Sequence, residues 1–297
     1  MTSSARSVHR FAHQAMGTFF EVVTAGEEQD YAGQGAAAVF KEVDRIERLF
    51  SRFDPASEIG QINRLRPGDS LTIGFEAFEC LEISEHVRAE TAGAFDVNVR
   101  AMGRMSEFRG LNPFASSSPF ELHQTTAGYE LRAGVTEIYG VHPLDLDLGG
   151  VGKGYALDRA LEVLKDWGLG NALIHGGTST ALGTGPGPSD RGWPVGVGGG
   201  WPGAPSEMLL SDRALSGSGT EVKGQHIFDP RTGKPASGHL AVWAMHPSAA
   251  VADALSTAFI VMTTDEVEDY CRRHLDVWAL VIPSYGECRI FPGCPDR

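Results

Sequence analysis

Between Leu146 and Asp158 the chain reads LDLGGVGKGYALD, thirteen residues that could hold an anion. The run breaks at Gly149-Gly150, and a cation, Lys153, sits between Gly152 and Gly154. From Tyr155 onward the pattern turns helical: Leu157, Ala160, Leu161 and Leu164 share one face, and Gly168 supplies a stop signal. A glycine-rich turn opening a helix leaves backbone N–H groups at the positive end of the helix dipole. Glycine there also lets a ligand touch the backbone. These residues fit a phosphate cradle, and they equally fit a tight turn carrying a solvated lysine. Two familiar phosphate motifs are excluded. The P-loop fails because Asp147 stands where its first glycine belongs and Gly154 follows the lysine; the dinucleotide fingerprint fails at Tyr155.

In VADALSTAF, Asp253 and Thr257 are four residues apart, which on a helix places a carboxylate and a hydroxyl on one face. Oxygen donors of this kind suit magnesium. The same pair also reads as a carboxylate complementing a helix dipole and a threonine bonded back to its own helix. In GQHIFDPRTGKP, Asp229 to Gly233 has type I turn chemistry, so Asp229 and Arg231 read as turn-stabilising. His226, beside that turn on a candidate strand, has the chemistry of a general base or of a structural histidine. Asp96 in TAGAFDVNV could cap backbone or accept a hydrogen bond from a ring N–H or hydroxyl. Met16 and Phe53 read as core residues that could also offer an apolar face to a flat ring.

The elements that must position these residues follow from periodicity. After a polar leader, Phe19 to Thr24 predicts a strand. GQGAAAVFKEVDRIERLFS predicts an amphipathic helix with Val39, Val43, Ile46 and Phe50 on its buried stripe. FDPASEIGQINRL reads as a loop with a capping element, and a helix is expected over about 75–90. The 108–128 stretch reads as a surface loop. A strand around Leu144–Leu148, the helix after Lys153 and a strand at Asn171–His175 would make a strand-helix-strand unit. Further strands are expected in WPVGVG, GQHIF, AVWAM and VWALVIP, with a helix over VADALSTAFIVM. Interleaved strands, hairpins and few helices predict an α+β fold with mixed, largely antiparallel sheets and packed helices. No interdomain linker is evident, so one domain over 1–297 is expected.

The formal charge of −13 argues against a nucleic-acid or anionic-membrane binder. An anionic ligand would need local help from a metal, a helix terminus or a few basic side chains. The first residues lack a secretory h-region, and no apolar run reaches the length of a membrane span. Cys80, Cys271, Cys288 and Cys294 lack C-x-x-C spacing, which disfavours a structural zinc site. Reduced thiols and a cytoplasmic setting are the expectation.

The motifs also fall in a telling order: MGTFFEVV, SRFDPASEIGQINR, GAFD, LDLGGVGKGYALD, the pair Gly176-Gly177, LSGSG, HIFDPRTGKP and ADALSTA. From about residue 16 to 262 this series resembles the ApbE-like family, the FAD:protein FMN transferases. The resemblance implies an ApbE-like, T-fold-related architecture and a magnesium-dependent reaction. FMN would pass from FAD to a Ser/Thr hydroxyl of a target flavoprotein, giving a phosphoester and AMP. It further implies that Met16, Phe53, Ala94, Phe95, Asp96, Asp147, Lys153 and Phe228 line the FAD site. Asp253, Thr257 and the carbonyl of Gly150 would hold magnesium, and His226 would be the base. FAD hydrolysis to FMN and AMP, and a non-catalytic FAD carrier, are the alternatives. The chain departs from the family pattern at Thr178, at Val97 to Arg100 and at Leu215.

Overall fold

The computed structural model describes residues 6–66, 68–101, 129–132, 137–140, 144–197, 200–219 and 227–293. The expected 108–128 loop, His226 and Cys294 lie outside the described residues.

A hairpin of β1 (Val8–Ala15) and β2 (Thr18–Ala25) leads into helix α1 (Gln29–Phe50). The polar leader is thus partly an edge strand. Helix α1 buries Val39, Val43, Ile46 and Phe50, as its periodicity requires. A short helix α2 (Glu58–Ile62) follows where a capped loop was expected, and Ser57 is the cap: its Oγ accepts from Gly60 N at 2.8 Å. After β3 (Ser70–Thr72), helix α3 (Phe75–Glu90) occupies its predicted span. Strands β4 (Tyr129–Arg132) and β5 (Glu137–Gly140) join β3 in a small sheet.

The strand expected at Leu144–Leu148 does not form. Leu144, Leu146 and Leu148 are buried, so the alternation is present, but no strand among the described residues pairs with it. Side chains satisfy the backbone instead. The Asn63 amide exchanges two hydrogen bonds with Leu146, at 2.6 and 3.0 Å, and Asp145 N donates to Asn98 Oδ1 at 2.8 Å. Asp147 N bonds Val97 O at 2.8 Å. A 3-10 turn at Leu148–Gly150 then opens helix α4 (Gly152–Asp166), which ends at Gly168 with φ +69°.

Strands β6 (Ala172–Gly176), β7 (Thr180–Thr184) and the hairpin β8 (Trp193–Gly196) with β9 (Glu207–Leu210) follow. Next come β10 (Arg213–Gly219), the two-residue pair β11 (Phe228–Asp229) and β12 (Lys234–Pro235), and β13 (His239–His246). Helices α5 (Ala249–Phe259) and α6 (Thr264–Arg273) precede β14 (Trp278–Pro283) and β15 (Arg289–Phe291).

Eight strands form the main sheet in the order β1-β2-β6-β7-β10-β13-β14-β15, and every strand pair among the described residues is antiparallel. The α+β class is therefore as expected. Period-2 alternation sends Val242 and Ala244 of β13 to the helix face and Ala241 and Met245 to the other. Both faces are covered. Helices α1, α4 and α5 share the first core with Phe20, Ile174 and Val281; Trp193, Leu210 and Leu280 belong to the second. No helix among the described residues is long and apolar enough to cross a membrane.

Candidate functional site

Helices α4 and α5 meet through two carboxylates, each bound to the start of the other helix. Asp253 of α5 accepts from Gly154 N of α4 at 3.1 Å. Asp158 of α4 accepts from Ala249 N at 2.7 Å, Ala250 N at 2.9 Å and the Ser248 hydroxyl at 2.7 Å. Pairing 154 with 253 and 158 with 249 makes the helices antiparallel. They pack backbone against backbone at Gly154, where a Cβ would run into the Ala249 carbonyl. Glycine is required there by contact rather than by φ. The N–H of Gly154, expected to face a phosphate, is taken by Asp253.

Asp253 is 3% exposed and held from every side. Its Oδ1 accepts from Thr180 Oγ1 at 3.3 Å and Ser216 Oγ at 3.2 Å. The Lys153 ammonium lies 3.2 Å from both carboxylate oxygens and 3.2 Å from the Gly149 carbonyl. Three oxygens thus cradle a tethered cation. Thr257 Oγ1 bonds back to the Asp253 carbonyl at 3.2 Å, the helix-internal bond that was one of its two readings. It also faces Gly150: a Cβ on Gly150 would lie 3.0 Å from Thr257 Oγ1 and 3.2 Å from the Phe95 ring. The structure therefore brings Phe95, Gly150, Lys153, Asp253 and Thr257 together.

The hydroxyls of Thr180 and Ser216 went unremarked in the sequence. The signal available was the alternation in β10, where Ala214, Ser216 and Ser218 share the helix face. Leu215 points to the opposite core, so this departure from the family pattern does not touch Asp253. Thr178 is exposed in the turn between β6 and β7.

Asp147 bridges to a second group. Its Oδ1 accepts from Gly149 N at 3.0 Å, while Oδ2 meets Arg52 Nε at 3.1 Å. Arg52 in turn stacks over the Phe53 ring at 4.0 Å from the centroid, and Phe53 is 79% exposed. Phe53 is accordingly no core residue. Arg100 approaches Asp147 at 4.0 Å and Asp145 at 3.5 Å.

Ala94 and Phe95 are buried, and Asp96 Oδ1 accepts from Asn98 N at 2.7 Å. Burial pushes the Asp96 carboxyl up to about 7 from its ordinary value, against the lowering effect of that hydrogen bond. The Asp229 turn lies beside this segment: Arg231 Cγ is 3.8 Å from where a Cβ on Gly93 would be. Arg231 donates to Asp229 at 3.0 Å and Glu266 at 2.8 Å, a turn-stabilising role. Phe228 is half-exposed on β11.

Met16 sits at the tip of the β1-β2 hairpin with φ +50°, followed by Gly17 at +69°. Two successive left-handed residues are the type I′ geometry that suits a right-twisted hairpin. Its N–H donates to Glu47 Oε1 of α1 at 2.7 Å. No bond joins Met16 or Phe228 to the Asp253 group among the described residues. No cluster of three or more His, Cys, Asp or Glu side chains suited to a metal occurs among them either.

A family model described as the ApbE family matches residues 16–281. The chain is 28% identical over 266 residues to the FAD:protein FMN transferase of Chlamydia pneumoniae, spanning 80% of this chain and 81% of that protein. It is 23% identical to the enzyme of the same name from Klebsiella pneumoniae (strain 342), over 92% and 84%. In fold it resembles the apo form of the Pseudomonas stutzeri flavinyl transferase ApbE, with TM-score 0.79, 20% identity and coverage of 98% and 96%. The flavin transferase ApbE from Vibrio cholerae superposes with TM-score 0.78, 18% identity and coverage of 97% and 98%.

Proposed function

The chain belongs to the ApbE family, and from that membership we propose that it transfers FMN from FAD to a Ser/Thr hydroxyl of an acceptor flavoprotein. The hydroxyl oxygen bonds to the FMN phosphorus as the bond from that phosphorus to the AMP oxygen breaks. The products are a phosphoester and AMP. The two relatives named above bear the name FAD:protein FMN transferase, which supports the transfer of FMN from FAD to a protein.

The observation that carries the reading is the oxygen cradle around Lys153. It already holds a cation, its donors are a carboxylate and a backbone carbonyl, and Gly150 and Thr257 adjoin it. Such a donor set fits a hard divalent ion. Asp253, Thr257 and the Gly150 carbonyl are the residues that would hold magnesium, which when bound supplies positive charge against phosphate oxygens. Thr180, Ser216 and Gly154 N fix the Asp253 carboxylate in one orientation, so little reorganisation is needed at the site. Lys153, at 22% side-chain exposure, is the partner able to turn outward and meet a diphosphate. Phe53, Phe95, Asp96, Asp147, Ala94, Met16 and Phe228 complete the proposed FAD site. His226 takes the proton from the attacking hydroxyl.

One domain over 1–297 is part of the same proposal, supported by a helix-side core that runs from Ala15 to Phe291. So is a reducing, cytoplasmic setting, with Cys80 and Cys271 buried as thiols. The test is incubation with FAD, magnesium and a Ser/Thr-bearing acceptor flavoprotein, read by acceptor mass and AMP release. Acceptor labelling that is lost in His226→Ala, with FAD binding retained, is expected. FMN release without an acceptor would replace the reading with FAD hydrolysis. FAD binding without either product would replace it with a carrier.

A further inference from the structure

An aromatic ring left 79% exposed has nothing of its own to hold its plane. Phe53 is an exception because one face is covered: the Arg52 guanidinium carbon lies 4.0 Å above the ring centroid. That guanidinium is itself anchored, with Nε 3.1 Å from Asp147 Oδ2. Asp147 Oδ1 accepts from Gly149 N at 3.0 Å, and the Gly149 carbonyl accepts from the Lys153 ammonium at 3.2 Å. A continuous chain of contacts therefore runs from the exposed ring to the glycine-rich turn. The face of Phe53 opposite Arg52 presents an apolar plane to a flat ligand.

Resting on the FAD reading above, we propose that Arg52 is a positioning residue for that nucleotide. It fixes Phe53 as a stacking platform for a planar heteroaromatic ring and ties that platform to the turn facing the diphosphate. Ring and phosphates are thereby located by one rigid piece of the protein. Lysine can supply charge at this position but not a planar group that stacks on the ring while an N–H of the same plane reaches Asp147.

The test compares FAD binding, by flavin fluorescence at fixed magnesium, in the parent protein, Arg52→Ala, Arg52→Lys, Phe53→Ala and the double variant Arg52→Ala/Phe53→Ala. Arg52→Ala is expected to raise the Kd for FAD about tenfold, with KM raised and kcat unchanged. The double variant should be no worse than Phe53→Ala alone, because Arg52 acts through that ring. Arg52→Lys should recover part of the loss. Repeating the titration with FMN, and with ADP as a competitor displacing FAD, separates the flavin ring from the adenine ring as the stacked group; a response of either to Arg52→Ala supports the proposal. Parent-like FAD affinity in Arg52→Ala, additive losses in the double variant, or no loss in Phe53→Ala would overturn it. A folded parent protein that ignores FAD would instead sink the flavin reading itself.

Discussion

Asp96 shows how a single side chain couples folding to its chemistry. Its carboxyl is raised to about 7 by burial, so the folded chain holds a proton that the unfolded chain has released. Stability therefore falls as pH rises from about 4 to about 7. Asp96→Asn keeps an acceptor for the Asn98 N–H and removes the titration. Urea unfolding across that window should show the parent losing up to about 4 kcal/mol relative to the variant; parallel curves would disprove the assignment. Lys153 is the second case, because its ammonium draws on both Asp253 oxygens that a divalent ion would use. Without nucleotide, Lys153→Met is expected to bind manganese about tenfold more tightly than the parent, measured by paramagnetic relaxation. Equal affinity would mean that the ion and the lysine do not share the carboxylate. Spacing put Lys153, Asp253 and Thr257 forward with two readings each, and the order of the motifs along the chain turned them into a site. The sequence did not announce Arg52, because its importance comes from Asp147, distant in the chain, and from the ring next door.

At the scale of elements, the antiparallel contact of α4 and α5 is set by the smallest residue in it. Gly154→Ala would push a methyl into the Ala249 backbone, which cannot give way as a flexible side chain can. Thermal unfolding should report a loss of about 1–3 kcal/mol, the range for overpacking, together with weaker FAD binding. A variant as stable as the parent would show that the helices can separate without penalty. Helices α1 and α4 were legible because their apolar faces repeat at helical spacing over three turns or more. The Leu144–Leu148 segment was misread for a physical reason. Its alternation is real, but its hydrogen bonds go to Asn63 and Asn98 side chains, and those partners leave no periodic trace. Helix α6 was missed although Thr263 and Glu266 form a full capping box, a local signal that was available.

For the whole molecule, the two faces of the main sheet do different work. The helix face carries Asp253, Lys153 and their partners; the opposite face is a core built around Trp193, whose indole N–H donates to Thr184 O at 2.9 Å. Trp193→Ala should cost about 3–5 kcal/mol in stability while leaving the FAD Kd of the folded protein unchanged at low temperature. A parallel loss of affinity would show that the second core also shapes the site. Class and helix placement were readable from pattern, whereas strand order was not, since β2 pairs with β6, Thr24 beside Ala172, with no local signal in either strand to name its partner. The mutual bonding of Asp158 and Asp253 to each other's helix starts has a consequence for biosynthesis. Until residue 253 has been added, Lys153 and Gly154 N have no Asp253 carboxylate to meet, and the oxygen cradle is incomplete. The cradle around Lys153 therefore closes only once α5 has emerged to pack against α4.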